Sequence, residues 1–249
     1  MGSSPLVSVV MPAYNSAQSI LASVYSVLNQ TYQNIELIIV DDCSTDGTLD
    51  VLESIVDPRV KVYKLITNSG SPAAPRNKAL ELATGQYISF LDSDDLWKPE
   101  KVQRQLAFMQ ESGSLFACTA YRVIDSRGVQ VASYSPPEKV GYKQLLSNNS
   151  VGCLTAMLHK SLLEDRSFPK CGHEDFALWL SILKDGNFVD GINENLATYR
   201  LVNGSVSSNK FKLISFFWNI YRNEQGFSWL KSLYYCIKYL INVVWFKYK

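Results

Sequence analysis

Three apolar runs in the first hundred residues each break abruptly into a short polar segment, and this pattern limits the possible folds more than any other feature. Residues 6–11 (LVSVVM), 35–40 (IELIIV) and 87–91 (YISFL) are rich in β-branched residues and too short for helices, so each reads as a buried strand. Between them, Ile20, Val24, Val27 and Leu28 recur at helical spacing, as do Leu49, Leu52 and Ile55, and a further helix is expected over 76–83, stopped by Gly85. Residues 60–65 alternate like a strand. Strands alternating with helices over short connections build a mostly parallel sheet with helices on both faces. In such sheets ligands bind beyond the carboxyl ends of the strands. The three polar segments, 12–15 (PAYN), 41–46 (DDCSTD) and 92–95 (DSDD), are therefore expected to converge on one cleft.

The second half reads differently. Residues 115–124 and 129–132 flank the turn Asp125-Ser126-Arg127-Gly128, which predicts a β-hairpin. A short helix is expected over 140–146, a strand over 153–158, and a helix over 176–183 with Glu174-Asp175 at its start. Mixed strands after a parallel half are typical of an acceptor-binding region added to a nucleotide-binding half, so residues 1–98 and 99–210 are expected to form these two parts, followed by a tail (211–249) that is nearly free of acidic residues and rich in Lys, Tyr, Trp and Phe.

Whole-chain properties narrow the function. A formal net charge of +1 over 249 residues provides no field for nucleic acid, which is not an expected partner. The five cysteines are scattered, odd in number and without metal-ligand spacing, which favours a reducing compartment and excludes a zinc site. The N-terminus has no basic cluster followed by an apolar stretch, so catalysis is expected in the cytoplasm.

The residues able to carry chemistry fall into five groups. In 92–95, Asp92, Asp94 and Asp95 repel one another unless neutralised, and a hard divalent cation held with a diphosphate does this. The same carboxylates would also suit the N-cap of a following helix. In 41–47, Asp46 suits a helix N-cap, Asp42 suits loop scaffolding, and Asp41 leaves its strand directly into the cleft, where it can accept a hydrogen bond from a base N–H. Pro12 and Tyr14 form a turn whose ring can stack on a nucleobase or be an ordinary turn tyrosine. In 68–77, Arg76 is the lone cation in a small-residue loop and reads equally as a phosphate or base ligand and as a solvated helix-start residue. Glu174 and Asp175 either favour a helix dipole or supply a general base.

Taken in order, 7–15 (VSVVMPAYN), 40–48 (VDDCSTDGT), Arg76-Asn77, 85–97 (GQYISFLDSDDLW) and 173–179 (HEDFALW) resemble the family-2 glycosyltransferases, and more narrowly their bacterial surface-polysaccharide and teichuronic-acid branch. The resemblance covers about residues 5–210. It implies a GT-A type, Rossmann-like sheet and an inverting transferase that uses a nucleoside-diphosphate sugar, with uridine as the expected base and thymidine or guanosine as alternatives. By the same resemblance Pro12 and Tyr14 hold the nucleotide, and Asp41, Asn68 and Arg76 form the base pocket. Asp92 and Asp94 then contact the ribose and diphosphate, Asp94 and Asp95 hold Mn²⁺ or Mg²⁺, and Asp175, with Glu174 beside it, is the base. Two positions depart from the family pattern. Cys43 replaces a usual glycine, which is harmless if φ there is negative, and Val202 replaces a frequent histidine, leaving Arg200 or Ser205 to meet phosphate. His159 reads as structural, and His173 as a candidate for the acceptor site.

In the tail, Lys231, Lys238, Asn242 and Lys249 fall on one face of a helix over 228–249 whose other face is apolar and aromatic. Such a helix fits the inner membrane surface, the catalytic domain or a second subunit of a homodimer. A lipid-linked glycan is the acceptor that the first of these favours. No catalytic candidate lies beyond Lys210, so the tail is expected to be dispensable for transfer to a soluble acceptor. A nucleotidyltransferase would need a Gly-rich basic loop after the first strand, which is missing. A non-catalytic glycan-binding subunit would tolerate loss of Asp94, Asp95 or Asp175, and all three are present.

Overall fold

A computed structural model describes residues 4–201 and 210–247. The expected strands are β1 (Val7–Ala13), β2 (Ile35–Asp41), β3 (Val60–Lys64) and β4 (Tyr87–Phe90), and they lie parallel in the order β3-β2-β1-β4. The Val, Ile and Leu side chains of β1, β2 and β4 are almost wholly buried, as expected for strands covered on both faces, while β3 at the sheet edge is largely exposed. The helices α1 (Ile20–Leu28), α2 (Thr48–Glu53) and α3 (Ala73–Leu82) make the crossovers.

Beyond β4 the sheet becomes mixed. β9 (Met157–His159) runs antiparallel to β4, and β6 (Phe116–Ile124), β10 (Val189–Arg200) and β5 (Leu96–Trp97) complete the row. The expected hairpin is present as β6 paired with β7 (Gln130–Tyr134). The expected helix over 140–146 divides into β8 (Lys139–Val140) and α5 (Tyr142–Leu145), and the expected strand over 153–158 begins as a 3₁₀ turn at Cys153–Thr155. Helix α6 (Glu174–Lys184) starts at the carboxylate pair. Neither α4 (Lys101–Ser112), although Val102, Leu106 and Met109 recur at helical spacing, nor β10, whose polar Asp-Gly-Ile-Asn-Glu-Asn stretch carries two register shifts against β6, was expected.

The tail is built into the domain. After α7 (Lys210–Asn219) and a π-turn (Ile220–Glu224), α8 (Trp229–Lys247) packs back on the core. Phe217, Tyr221 and Tyr239 are buried in the same cluster as Phe176 and Trp179 of α6, and the Phe217 and Tyr239 rings stand 3.7 Å apart. Ser232, Cys236, Tyr239 and Asn242 make the inward face of α8, and Asn242 Nδ2 donates to the Ser147 carbonyl at 2.7 Å. This corrects the sequence grouping of Asn242 with the lysines. The outward face carries Leu230, Tyr234, Ile237 and Ile241, which are largely exposed. Among the described residues no helix is long and apolar enough to cross a membrane.

Candidate active site

Loops after the parallel strands build one side of the site. Asp41 ends β2 fully buried. The Ser44 N–H donates to its Oδ2 at 3.0 Å, while Oδ1 is buried without a partner among the described residues. Such an orphan acceptor is costly unless a ligand donates to it. Pro12 pairs with Val40 inside β1, and Tyr14, just past it, is half exposed. Asp42 has the scaffolding role expected of it: the Ser69 N–H and hydroxyl both donate to its carboxylate at 2.8 Å. Asn68 is used the same way, since Nδ2 donates to the Asp42 carbonyl and Oδ1 accepts from the Gly70 N–H. Its amide therefore shapes the loop that delivers Gly70 and Ser71 to the cleft. Asp46 accepts from the Thr48 N–H and hydroxyl ahead of α2, and ties this turn to the Ala17 N–H.

Cys43 departs from the expectation of a negative φ. Its φ of 61° lies in the left-handed region that favours glycine, and its thiol donates to the Leu65 carbonyl. A side chain thus occupies a strained position whose turn holds Asp41 and Asp42 in place.

The acidic turn after β4 meets Arg76 from α3. Arg76 is 5% exposed, its Nη2 donates to Asp92 Oδ1 at 2.6 Å, and its guanidinium lies 5.3 Å from the Phe168 ring centroid. Burial alone would lower the Arg76 pKa, but the surrounding negative groups, Asp92 first and then Cys153 and Asp175, together with the Asp92 hydrogen bond, outweigh it and raise it. The solvated reading of Arg76 is thereby excluded. Asp94 is pushed up to about 6 by burial and then by the Asp92 charge, and Asp95, almost wholly buried, is pushed well above the usual carboxylate range. Asp95 Oδ1 accepts from the Arg200 N–H. The Arg200 side chain is committed elsewhere, to the Asp94 carbonyl, the Ser19 carbonyl and the Ser23 hydroxyl. That corrects its reading as a phosphate ligand, and Val202 and Ser205 lie outside the described residues.

Three carboxylates on one turn, two held above their ordinary pKa, suit a divalent cation. Among the described residues no three His, Cys, Asp or Glu are arranged to hold one unaided. One or two carboxylates plus diphosphate oxygens is the usual way Mg²⁺ is bound, and the donor set here fits that arrangement.

A cleft of about 900 Å³ gathers Arg76, Asp92, Asp95, Glu174 and Asp175 into one lining. Pro12, Tyr14, Asp41, Asn68 and Asp94 are outside this lining, at the ends of β1 and β2 and on the connections that follow the strands. Glu174 and Asp175 open α6, where the helix dipole favours their charge. His173 precedes them at φ 55°, stacked on Phe217. His159 is structural, its Nδ1 2.8 Å from the Ser161 hydroxyl. Other lining residues were not expected from the sequence: Tyr121, Asn149, Tyr199, and Ser215, Phe216, Trp218 and Asn219 of α7. The α7 residues belong to the segment read as dispensable, and the aromatic run 216–218 was the only available signal.

A parallel strand row ending in an acidic turn, flanked by a mixed half that closes a cleft over a helix-borne carboxylate pair, defines the GT-A class of fold. The solved structure of residues 1–349 of TarS from S. aureus in complex with UDP-GlcNAc matches with a TM-score of 0.73 at 25% identity, over 94% of this chain and 71% of that one. The model of glycosyl transferase family 2 matches residues 8–166. TuaG of Bacillus subtilis, a glycosyltransferase named for teichuronic acid biosynthesis, is 43% identical over 96% of both chains. WfgD of Escherichia coli, a UDP-Glc:α-D-GlcNAc-diphosphoundecaprenol β-1,3-glucosyltransferase, is 40% identical over 95% of this chain and 92% of its own. The chain belongs to glycosyl transferase family 2.

Proposed function

We propose that this protein is an inverting, metal-dependent transferase that moves a sugar from a UDP-linked donor to a hydroxyl of a lipid-linked cell-surface glycan. The observation that carries the reading is the convergence of Arg76, Asp92, Asp95, Glu174 and Asp175 on one cleft. The orphan Oδ1 of Asp41 suits the uracil N–H, and Tyr14 is free to stack on the base. Arg76 holds Asp92 toward the ribose and diphosphate. Asp94, with the remaining oxygen of Asp95, is the place for Mn²⁺ or Mg²⁺, which would offset charge on the departing diphosphate. Asp175 accepts the acceptor proton as the hydroxyl oxygen bonds to the anomeric carbon. The carbon–oxygen bond to the β-phosphate breaks with its electron pair on UDP. One displacement inverts the anomeric centre.

Two observations support work at the inner membrane surface. The outward stripe of α8 is apolar and exposed, and Lys231 and Lys238 lie on the same helix with no acidic residue after Glu224. WfgD's named acceptor is a diphosphoundecaprenol lipid. A screen of UDP-, TDP- and GDP-sugars for released nucleoside diphosphate, with and without Mn²⁺, tests the donor and metal parts together. Release from no donor, or equal release in chelator, would count against the reading.

A further inference from the structure

Three cleft-lining residues hold buried polar atoms with no partner among the described residues: Arg76 Nε, Asn149 Oδ1 and His173 Nε2. Arg76 belongs to the donor side. Asn149 and His173 have no role in the mechanism above, and they share the lining with Phe216 and Trp218 of α7. The α7 wall is fixed against the start of α6. Gly172 has φ 70°, and a Cβ there would fall 2.3 Å from Phe216 Cδ1, so this ring lies directly on the backbone leading to Asp175. The His173 ring is edge-on to Phe216 and stacked on Phe217, with centroids 5.9 and 5.3 Å away.

We infer that Asn149, His173, Phe216 and Trp218 form the subsite for the acceptor sugar and set its identity. The inference rests on the transferase reading. A pyranose has an apolar C–H face that stacks on aromatic rings and a rim of hydroxyls that donate and accept. That combination matches aromatic rings placed beside unpaired amide and imidazole atoms. A purely apolar ligand would leave Asn149 Oδ1 and His173 Nε2 unsatisfied, and a small anion would leave the aromatic wall uncovered. The wall adjoins the Asp175 helix, so a sugar held there presents its hydroxyl to the base. Asn149, His173 and Trp218 are positioning and specificity residues, and the proton goes to Asp175.

The test compares wild type with Asn149→Ala, His173→Asn and Trp218→Leu. Asparagine tolerates the left-handed backbone at position 173. Thermal melting confirms that each variant is folded. Calorimetry measures UDP affinity, UDP release to water without acceptor reports donor turnover, and a short-chain N-acetylglucosaminyl-diphosphate lipid serves as acceptor. Each variant is expected to raise the acceptor KM by about tenfold, the worth of one good contact. UDP affinity and release to water should stay at wild-type level. A parallel fall in UDP affinity, or an unchanged acceptor KM in all three, would overturn the subsite. Wild type that binds no UDP would overturn the donor reading itself, and this would be evident before any acceptor is added.

Discussion

Arg76 Nη2 donates to Asp92 Oδ1 at 2.6 Å, joining the first turn of α3 to the acidic turn after β4. The guanidinium is almost wholly buried while Asp92 keeps about a third of its side chain in water, so removing the arginine leaves the Asp92 carboxylate without its partner and a gap beside Phe168. Arg76→Ala should therefore cost about 3 kcal/mol of stability as well as about one to two decades of UDP affinity. Arg76→Lys should recover little, because a point charge cannot reproduce the planar contact with Phe168. Urea denaturation and calorimetry measure the two effects. A variant of wild-type stability would show that the pair does not hold the turn.

Asp175→Asn should reduce turnover by at least about a hundredfold with UDP affinity near wild type, as expected for removal of a general base. Glu174→Gln, at the same helix start but more deeply buried, should have the smaller effect on turnover. Steady-state transfer rates beside calorimetry decide the assignment. Equal losses in both variants would move the role to the pair as a unit.

Lys101 offers a pH test away from the cleft. It is wholly buried, with Nζ donating to Gln105 Oε1 at 2.8 Å and to Ser89 Oγ at 3.3 Å, 4.1 Å from the Trp97 ring centroid. Burial pushes its pKa down from 10.5 to about 7. Between those values the unfolded chain binds more protons than the folded one, so stability should rise with pH across that window and be flat for this group below it. Lys101→Met keeps the stem against Trp97 and removes the charge. Its unfolding free energy should lack that rise between pH 7 and 9.5. Identical pH slopes in the two proteins would show that Lys101 does not titrate there.

Deletion of residues 211–249 should destroy cooperative folding. It removes Phe217, Tyr221 and Tyr239 from the core, and truncating one buried aromatic costs about 3–5 kcal/mol against a total of roughly 5–15. Activity on a soluble acceptor should fail along with the rest. Leu230→Ser combined with Ile237→Ser alters only the outward face of α8. That variant should keep its fold and UDP affinity but lose flotation with anionic vesicles. Flotation equal to wild type would count against membrane docking by this face.

The sequence carried the first half of the fold almost whole. Runs such as 35–40 are buried on both faces of the sheet, so their character is written in consecutive residues, and the turns that follow them inherit a position at the strand ends. Asp92, Asp95, Glu174 and Asp175 were legible for the same reason, since each is fixed by the local end of one element. Polar strands and loop residues were not. β10 owes its place to pairing with β6, and Asn149 comes from a connection with no periodicity of its own.

What the sequence by itself determined is which segments are strands and helices in the first half, and where their carboxylates emerge. Only the tertiary structure decided that Arg200 turns toward α1, that Asn242 faces Ser147, and that α7 forms a wall of the cleft. The physical reason is the same in each case. An amphipathic pattern states that a helix has an apolar face to cover, and a charged residue states that it needs a partner. Neither states which distant surface meets that need, because packing and hydrogen bonding are satisfied between elements far apart in the chain.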